Sequence, residues 1–322
     1  MGKSTTPLFQ LKATDGHKFT KRRGTFGLAT GISVSGYGVG GLVLSPVTQK
    51  LIDTLGFRWA LRTTGLMTLV VLGVADYFMK SRPGANTGSK KTKVNLKLMK
   101  DPVFAFLCGI GLSSAFGFYV PIFYVPDYAR NALGRSAKDG ATSAALISAL
   151  SAVGRVLLGF FGDRFGHITA LIMCQGLGGI SQMAIWPFTR DLSGLMGFSS
   201  FYGFFSGGFV SLYPVVAAEI YGVEGLASIA GAMFSSYIPG TLVGPPIAGA
   251  IIDNNTAPDG KINFLSTQLY GGSWLIGSCF MASMAMYYHR IHLKSARIRH
   301  ETEEKDSGVV AREQVNDDQL VV

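Results

Sequence analysis

Uncharged residues run unbroken over 24–49, 102–126, 192–218, 225–252 and 262–288, and over 165–189 with only His167 intervening. Each run exceeds the roughly 20 residues that a helix needs to cross a bilayer. The pattern predicts eight spans, at about 24–46, 58–79, 102–124, 140–162, 168–188, 195–216, 226–251 and 267–288. In the second span, Arg62 and Asp76 fall near the ends, from which long side chains snorkel to the interface. The fourth span contains Arg155. The expected fold class is therefore all-α, a polytopic membrane protein, and the even count returns both termini to one side.

Composition sharpens that reading. The 322 residues are 48% hydrophobic and 15% charged, against a charged share of about 25% in soluble proteins. A single soluble domain of this make-up would lack the polar surface to cover its core. Three Cys in so long a chain make no disulfide framework. The net charge of +10 does not point to nucleic acid, because the basic residues flank the apolar runs. Residues 1–23 carry six of them and no short apolar core of a secretory signal. Lys and Arg number 20 on the face holding both termini and 8 on the other. The bias places both termini in the cytoplasm.

The same pattern divides the chain. A tail over 1–23 leads to two helices in 24–79, a basic linker over 80–101, six helices in 102–288, and a tail over 289–322. The linker reads as a solvated loop that touches anionic lipid. The last tail begins basic, becomes mixed and acidic, and reads as mobile.

Within the spans, small residues recur at helical spacing. Gly27, Gly31 and Ser35, then Gly36 and Gly40, place a small-residue face on span one, where backbones approach closely. Helix packing is the first reading of that face and substrate contact the second. Prolines at 121, 126, 214, 239, 245 and 246 remove backbone donors. Pro245-Pro246, among Gly240, Gly244 and Gly249, is the strongest candidate for a broken or strongly bent helix.

Arg155 is the sharpest single signal. A guanidinium in mid-span must face the bundle interior, a water-filled cavity or a counter-charge. Its helix has no acidic residue over 147–159, so binding an anion and serving as an internally bonded structural Arg both stand. Tyr119, Tyr202 and Ser206 are candidate hydroxyl donors to the same cavity. Glu219 and Glu224 read as loop anchors at the cytoplasmic end of span six. HExxH, CxxC, P-loop and supported GxSxG patterns are absent. Neither an enzyme, nor a cofactor, nor a metal site is expected, and no nucleotide-binding domain would drive a pump.

Longer motifs carry a resemblance. Lys21-Arg22-Arg23 followed by GTFGLATGISVSGYGVGGLVLSP, and then LIDTLGFRWA over 51–60, resemble the fifth helix of a known family and its turn into the sixth. Gly159-Phe-Phe-Gly162-Asp163-Arg164-Phe-Gly166 matches the GxxxDRxG loop between helices eight and nine. Leu242 to Gly249 matches the Gly/Pro pattern of helix eleven. The chain resembles the monocarboxylate-transporter-like branch of the major facilitator superfamily, with a phrasing closest to fungal members. The resemblance covers 21 to about 290 and implies that four family helices would precede those seen here.

It also implies a secondary transporter that rocks two bundles around a midplane site. Its substrate would be a small organic anion or similar metabolite, with a proton as a symported partner. The Asp163 loop would latch the outward-facing state. The membrane would be the plasma or vacuolar one. Animal members have an Asp one turn before the Arg of helix eight, whereas Ser151 stands there in this chain, so an Asp/Arg proton switch does not transfer. Without the four preceding helices, the chain alone is expected not to complete alternating access. It would pair with the missing first-half helices or self-associate. A non-transporting membrane protein that associates with other carriers is the alternative.

Overall fold

The computed structural model describes residues 26–78, 101–222, 226–256 and 262–319. The tail over 1–23, the linker over 80–100, Glu224 and Lys261 lie outside the described residues. Eight helices follow one another: α1 (Phe26–Leu55), α2 (Phe57–Phe78), α3 (Pro102–Asn131), α4 (Ala137–Phe165), α5 (His167–Ile180), α6 (Leu192–Tyr221), α7 (Leu226–Asn254) and α8 (Leu265–Gln319). A π-turn over Ser181–Ile185 and a 3-10 turn over Trp186–Phe188 extend α5. Among the described residues there is no strand, only an isolated bridge between Thr256 and Ile262.

Seven of these helical segments are long and apolar enough to cross a membrane: α1 to α4, α5 with its extension, α6 and α7. The eighth expected span, 267–288, forms the first part of α8. It is rich in Gly and Ser, which lowers its mean hydropathy, and it packs against α3 and α5. Beyond it the helix continues to Gln319, where a mobile tail was expected. That segment carries four Arg and four Glu, which are good helix formers.

Sharp starts are encoded locally. Asp101 caps α3 by accepting from the Val103 amide at 3.0 Å. Ser136 and Asp139 form a reciprocal capping box on α4. Between α4 and α5 the chain turns on Gly166 at φ +102°, a conformation that side-chain-bearing residues rarely adopt.

The helices α3 to α8 pack around two apolar clusters. One gathers Leu107, Ile110, Leu171 and Leu212, and the other Val120, Trp186, Phe198 and Leu275. Lipid offers no hydrophobic drive between helices, so small residues and polar links matter more here than in water. Gly203 and Gly207 of α6 lie against the α4 backbone at Ile147 and Ser151. Gln175 donates to Ser278 Oγ at 2.7 Å and to Ser114 Oγ, and the two serines share a hydrogen bond of 2.8 Å. This joins α3, α5 and α8.

Against this group stands α1, packed on α4 and touching α6. α2 packs chiefly on α1, with Ala60 its one buried residue. Leu61, Leu66, Leu69 and Leu72 of α2 are all exposed. α7 runs as one helix through Pro239, Pro245 and Pro246, so of the break or strong bend expected at the Pro pair, the break does not occur. The Tyr124 hydroxyl donates to the Pro245 carbonyl at 2.7 Å, fixing α3 to α7 at that point.

Candidate functional site

The seam between α1 and α4 holds most of the chemistry. Gly27 and Gly159 face each other so closely that a Cβ on Gly27 would sit 2.5 Å from the Gly159 carbonyl oxygen. A Cβ on Gly31 would strike the Arg155 carbonyl, and one on Gly38 would meet Ala152 and Ser148. Gly36 and Gly40, expected on the same face, have open space around them. Their spacing turns them away from α4, and Gly38 takes the third contact instead.

Arg155 lies on this seam, 1% exposed. Its Nη1 donates to the Val34 carbonyl at 2.7 Å, and its guanidinium sits 4.7 Å from the centre of the Tyr37 ring. Nε is buried without a partner. Thus the side chain faces α1 rather than the interior of the six-helix group. Among the described residues, no salt bridge neutralises it. A carbonyl and an aromatic face solvate the cation in part, but they leave its charge uncompensated.

Tyr119 approaches from α3 and feels both Arg155 and Tyr37. Its ring lies 6.3 Å from that of Tyr237, which stacks on Phe209 at 6.2 Å. Tyr37 and Tyr237 were not singled out from sequence. Tyr202 and Ser206, expected in the cavity, belong to the core. The Tyr202 hydroxyl donates to the Phe118 carbonyl at 2.7 Å, and Ser206 Oγ donates to the Gly203 carbonyl at 3.2 Å. Their hydroxyls are consumed by backbone, as buried polar groups usually are.

Two turns further along α4 is a second cluster. Asp163 accepts from the Gly27 amide through Oδ1 and from the Leu28 amide through Oδ2, each at 2.8 Å. It therefore caps the start of α1 across the seam, while the start of α5 has no side-chain cap. His167 lies between two carboxylates, with Nε2 3.1 Å from Asp163 Oδ1 and Nδ1 2.8 Å from Glu219 Oε2. Arg164 is exposed beside it, and Gly166 makes the turn. A cleft of about 520 Å³ at the far end, lined by Tyr128, Pro187, Asn255 and Gln268, has no charged residue among its described lining.

Comparison with known proteins gives this arrangement a setting. The model of the Major Facilitator Superfamily matches residues 19–189, more than half of the chain. The chain belongs to this superfamily. It is similar to the MFS-type transporter pynF of Aspergillus niger, 30% identical over 258 residues, covering 79% of this chain and 58% of that protein. The Agnestins efflux protein AgnL12 of Paecilomyces divaricatus is 31% identical over 276 residues, 85% and 60% of the two chains. The Fujikurins efflux protein of Gibberella fujikuroi is 29% identical over 273 residues, 84% and 57%. The chain thus spans about three fifths of the length of these relatives. It is an integral, multi-pass membrane protein.

Proposed function

We propose that the protein forms part of a secondary transporter for an organic anion, with Arg155 reading the anionic group. The observation that carries this is the guanidinium that has no salt bridge among the described residues, buried where α1 meets the six-helix group, with Nε unpaired. Its planar fork suits a carboxylate or an acidic enol. Tyr37, Tyr119 and Tyr237 supply aromatic surface beside it, so the cargo is a monocarboxylate-like metabolite with an apolar or aromatic body. Two relatives named as efflux proteins support export as the direction of travel. In this reading the two helices of 24–79 belong to the first bundle and 102–288 is the second. The plasma or vacuolar membrane is the site of action, and proton symport or antiport supplies the drive.

Alternating access needs a wall from each bundle. The exposed sides of α1 and α2 supply a surface for further first-bundle helices, from the same polypeptide or a second one. Association with such helices, or with another copy, is the partner reading favoured by the lack of burial on α2.

The test is flux in proteoliposomes. Benzoate, lactate and riboflavin are offered with and without a pH gradient, to the chain alone and to the chain assembled with a relative's first bundle. The expected result is saturable flux of the anions in the assembled form, lost in Arg155→Ala. Equal flux in that variant would remove Arg155 from the site.

A further inference from the structure

His167 interrupts an otherwise apolar run, and its position between two carboxylates is chemically demanding. A neutral imidazole has one N–H and one lone pair. With the proton on Nδ1 it serves Glu219 and turns a lone pair to Asp163. With the proton on Nε2 the reverse holds. Only the imidazolium donates to both, at the observed 2.8 and 3.1 Å. The same Asp163 oxygen that meets Nε2 also accepts from the Gly27 amide, so the ring is one hydrogen bond away from the start of α1.

We propose that His167 is a proton-operated clasp, whose protonation holds the Asp163 end of α4 closed on the start of α1 and whose deprotonation releases it. A proton enters the imidazole as the seam closes and leaves when it opens. Glu219, with 28% of its side chain exposed, gives that proton a path to solvent. With the ring neutral, one of its two nitrogens turns a lone pair toward a carboxylate. With the ring charged, both nitrogens donate, and one positive charge lies between the two carboxylates. The sign follows: the closed contact is fully present at low pH and is lost as pH rises through the histidine's titration. By the Lys and Arg bias, the pH sensed is that of the cytoplasm.

The surroundings are consistent with His167 as the titrating group. From α4 come Asp163 and the exposed Arg164, and from α6 come Glu219 and Tyr221. The Tyr221 hydroxyl donates to Asp101 Oδ2 at 2.8 Å. From α8, His289 feels Glu219, Asp101 and His292, and burial holds it below the ordinary histidine range. Among the described residues, α1 contributes the amides of Gly27 and Leu28. The basic run 21–23 and Glu224 lie outside the described residues.

The inference rests on this cluster and not on what Arg155 binds, so the test needs no substrate. Spin labels are placed at the exposed Ala29 and Phe160 of the full chain in nanodiscs, with Cys108, Cys174 and Cys279 changed to alanine. Dipolar broadening between the labels is read from pH 5 to 8. Wild type should lose broadening as pH rises. His167→Arg, charged throughout, should keep it at every pH, and His167→Asn should show little at any pH. Unchanged broadening across the range in wild type would overturn the clasp. So would a pH-dependent loss that survives in His167→Asn, which would assign the titration to another group.

Discussion

Asp163 and Gly27 are 136 residues apart in sequence and joined by a hydrogen bond of 2.8 Å. The second carboxylate oxygen accepts from Leu28 at the same distance. One side chain therefore caps a helix it does not precede, and ties α4 to α1 by charge as well as by geometry. A carboxylate at a helix N-terminus meets free amides and the positive end of the helix dipole. Asp163→Asn keeps one acceptor but loses the charge, at a cost of about 0.3–1 kcal/mol. Amide exchange over 26–32 should accelerate in this variant while exchange in α3 and α6 is unchanged. Unchanged exchange over 26–32 would mean that glycine packing alone holds the seam.

Gly31 tests the packing contribution. A methyl group there meets the Arg155 carbonyl, which is backbone and cannot swing aside. Gly31→Ala should destabilise the seam by about 1–3 kcal/mol, seen as a lower unfolding midpoint in detergent. Gly36→Ala, with open space at its Cβ position, is the control and should be close to neutral.

How far this seam was legible depends on which kind of cause produced it. Spans follow from the bilayer's thickness, so the long uncharged runs located the helices well. Arg155 stood out because burying its charge is costly wherever it points. What it points at was not legible, since Val34 and Tyr37 lie on a helix more than a hundred residues away and no periodicity links them. Asp163 caps α1, whose start lies more than a hundred residues away, and not the adjacent α5, so its partner was not legible in the local pattern. Tyr202 and Ser206 misled because a helical face shows neither which hydroxyls backbone carbonyls have already taken nor which open to a cavity. His167 carries a sequence signal of its own: a lone titratable residue in an apolar run, four positions after Asp163. Its second partner, Glu219, comes from another helix and needed the fold to be seen.

Tyr37 is 66% exposed yet covers one side of the Arg155 guanidinium. A cation–π contact of this kind contributes about 0.5–2 kcal/mol. Tyr37→Phe keeps the ring face and should leave anion flux by the assembled transporter near wild type. Tyr37→Ala should raise the KM for aromatic anions several-fold more than for lactate. Equal effects on both cargo types would show that Tyr37 supports Arg155 without contacting substrate.

Topology provides an independent check on orientation. The Lys and Arg bias of 20 to 8 predicts that a tag at residue 90 and a tag at the C-terminus both resist a membrane-impermeant reagent in intact cells. Labelling of one alone would contradict the even span count, including the span assigned to the first part of α8.

The central claim is that Arg155 reads an organic anion at the junction of α1 and the six-helix group. It is tested most directly by substrate flux in proteoliposomes containing the chain assembled with a first bundle, comparing wild type, Arg155→Lys and Arg155→Ala at matched incorporation. Lysine keeps the charge and loses the bidentate fork. The account predicts saturable benzoate flux in wild type, a loss of tenfold or more in Arg155→Lys, and background flux in Arg155→Ala, on the order of the cost of one buried charged hydrogen bond. Wild-type flux of every transported anion in both variants would contradict it, and would make Arg155 a structural residue of the seam.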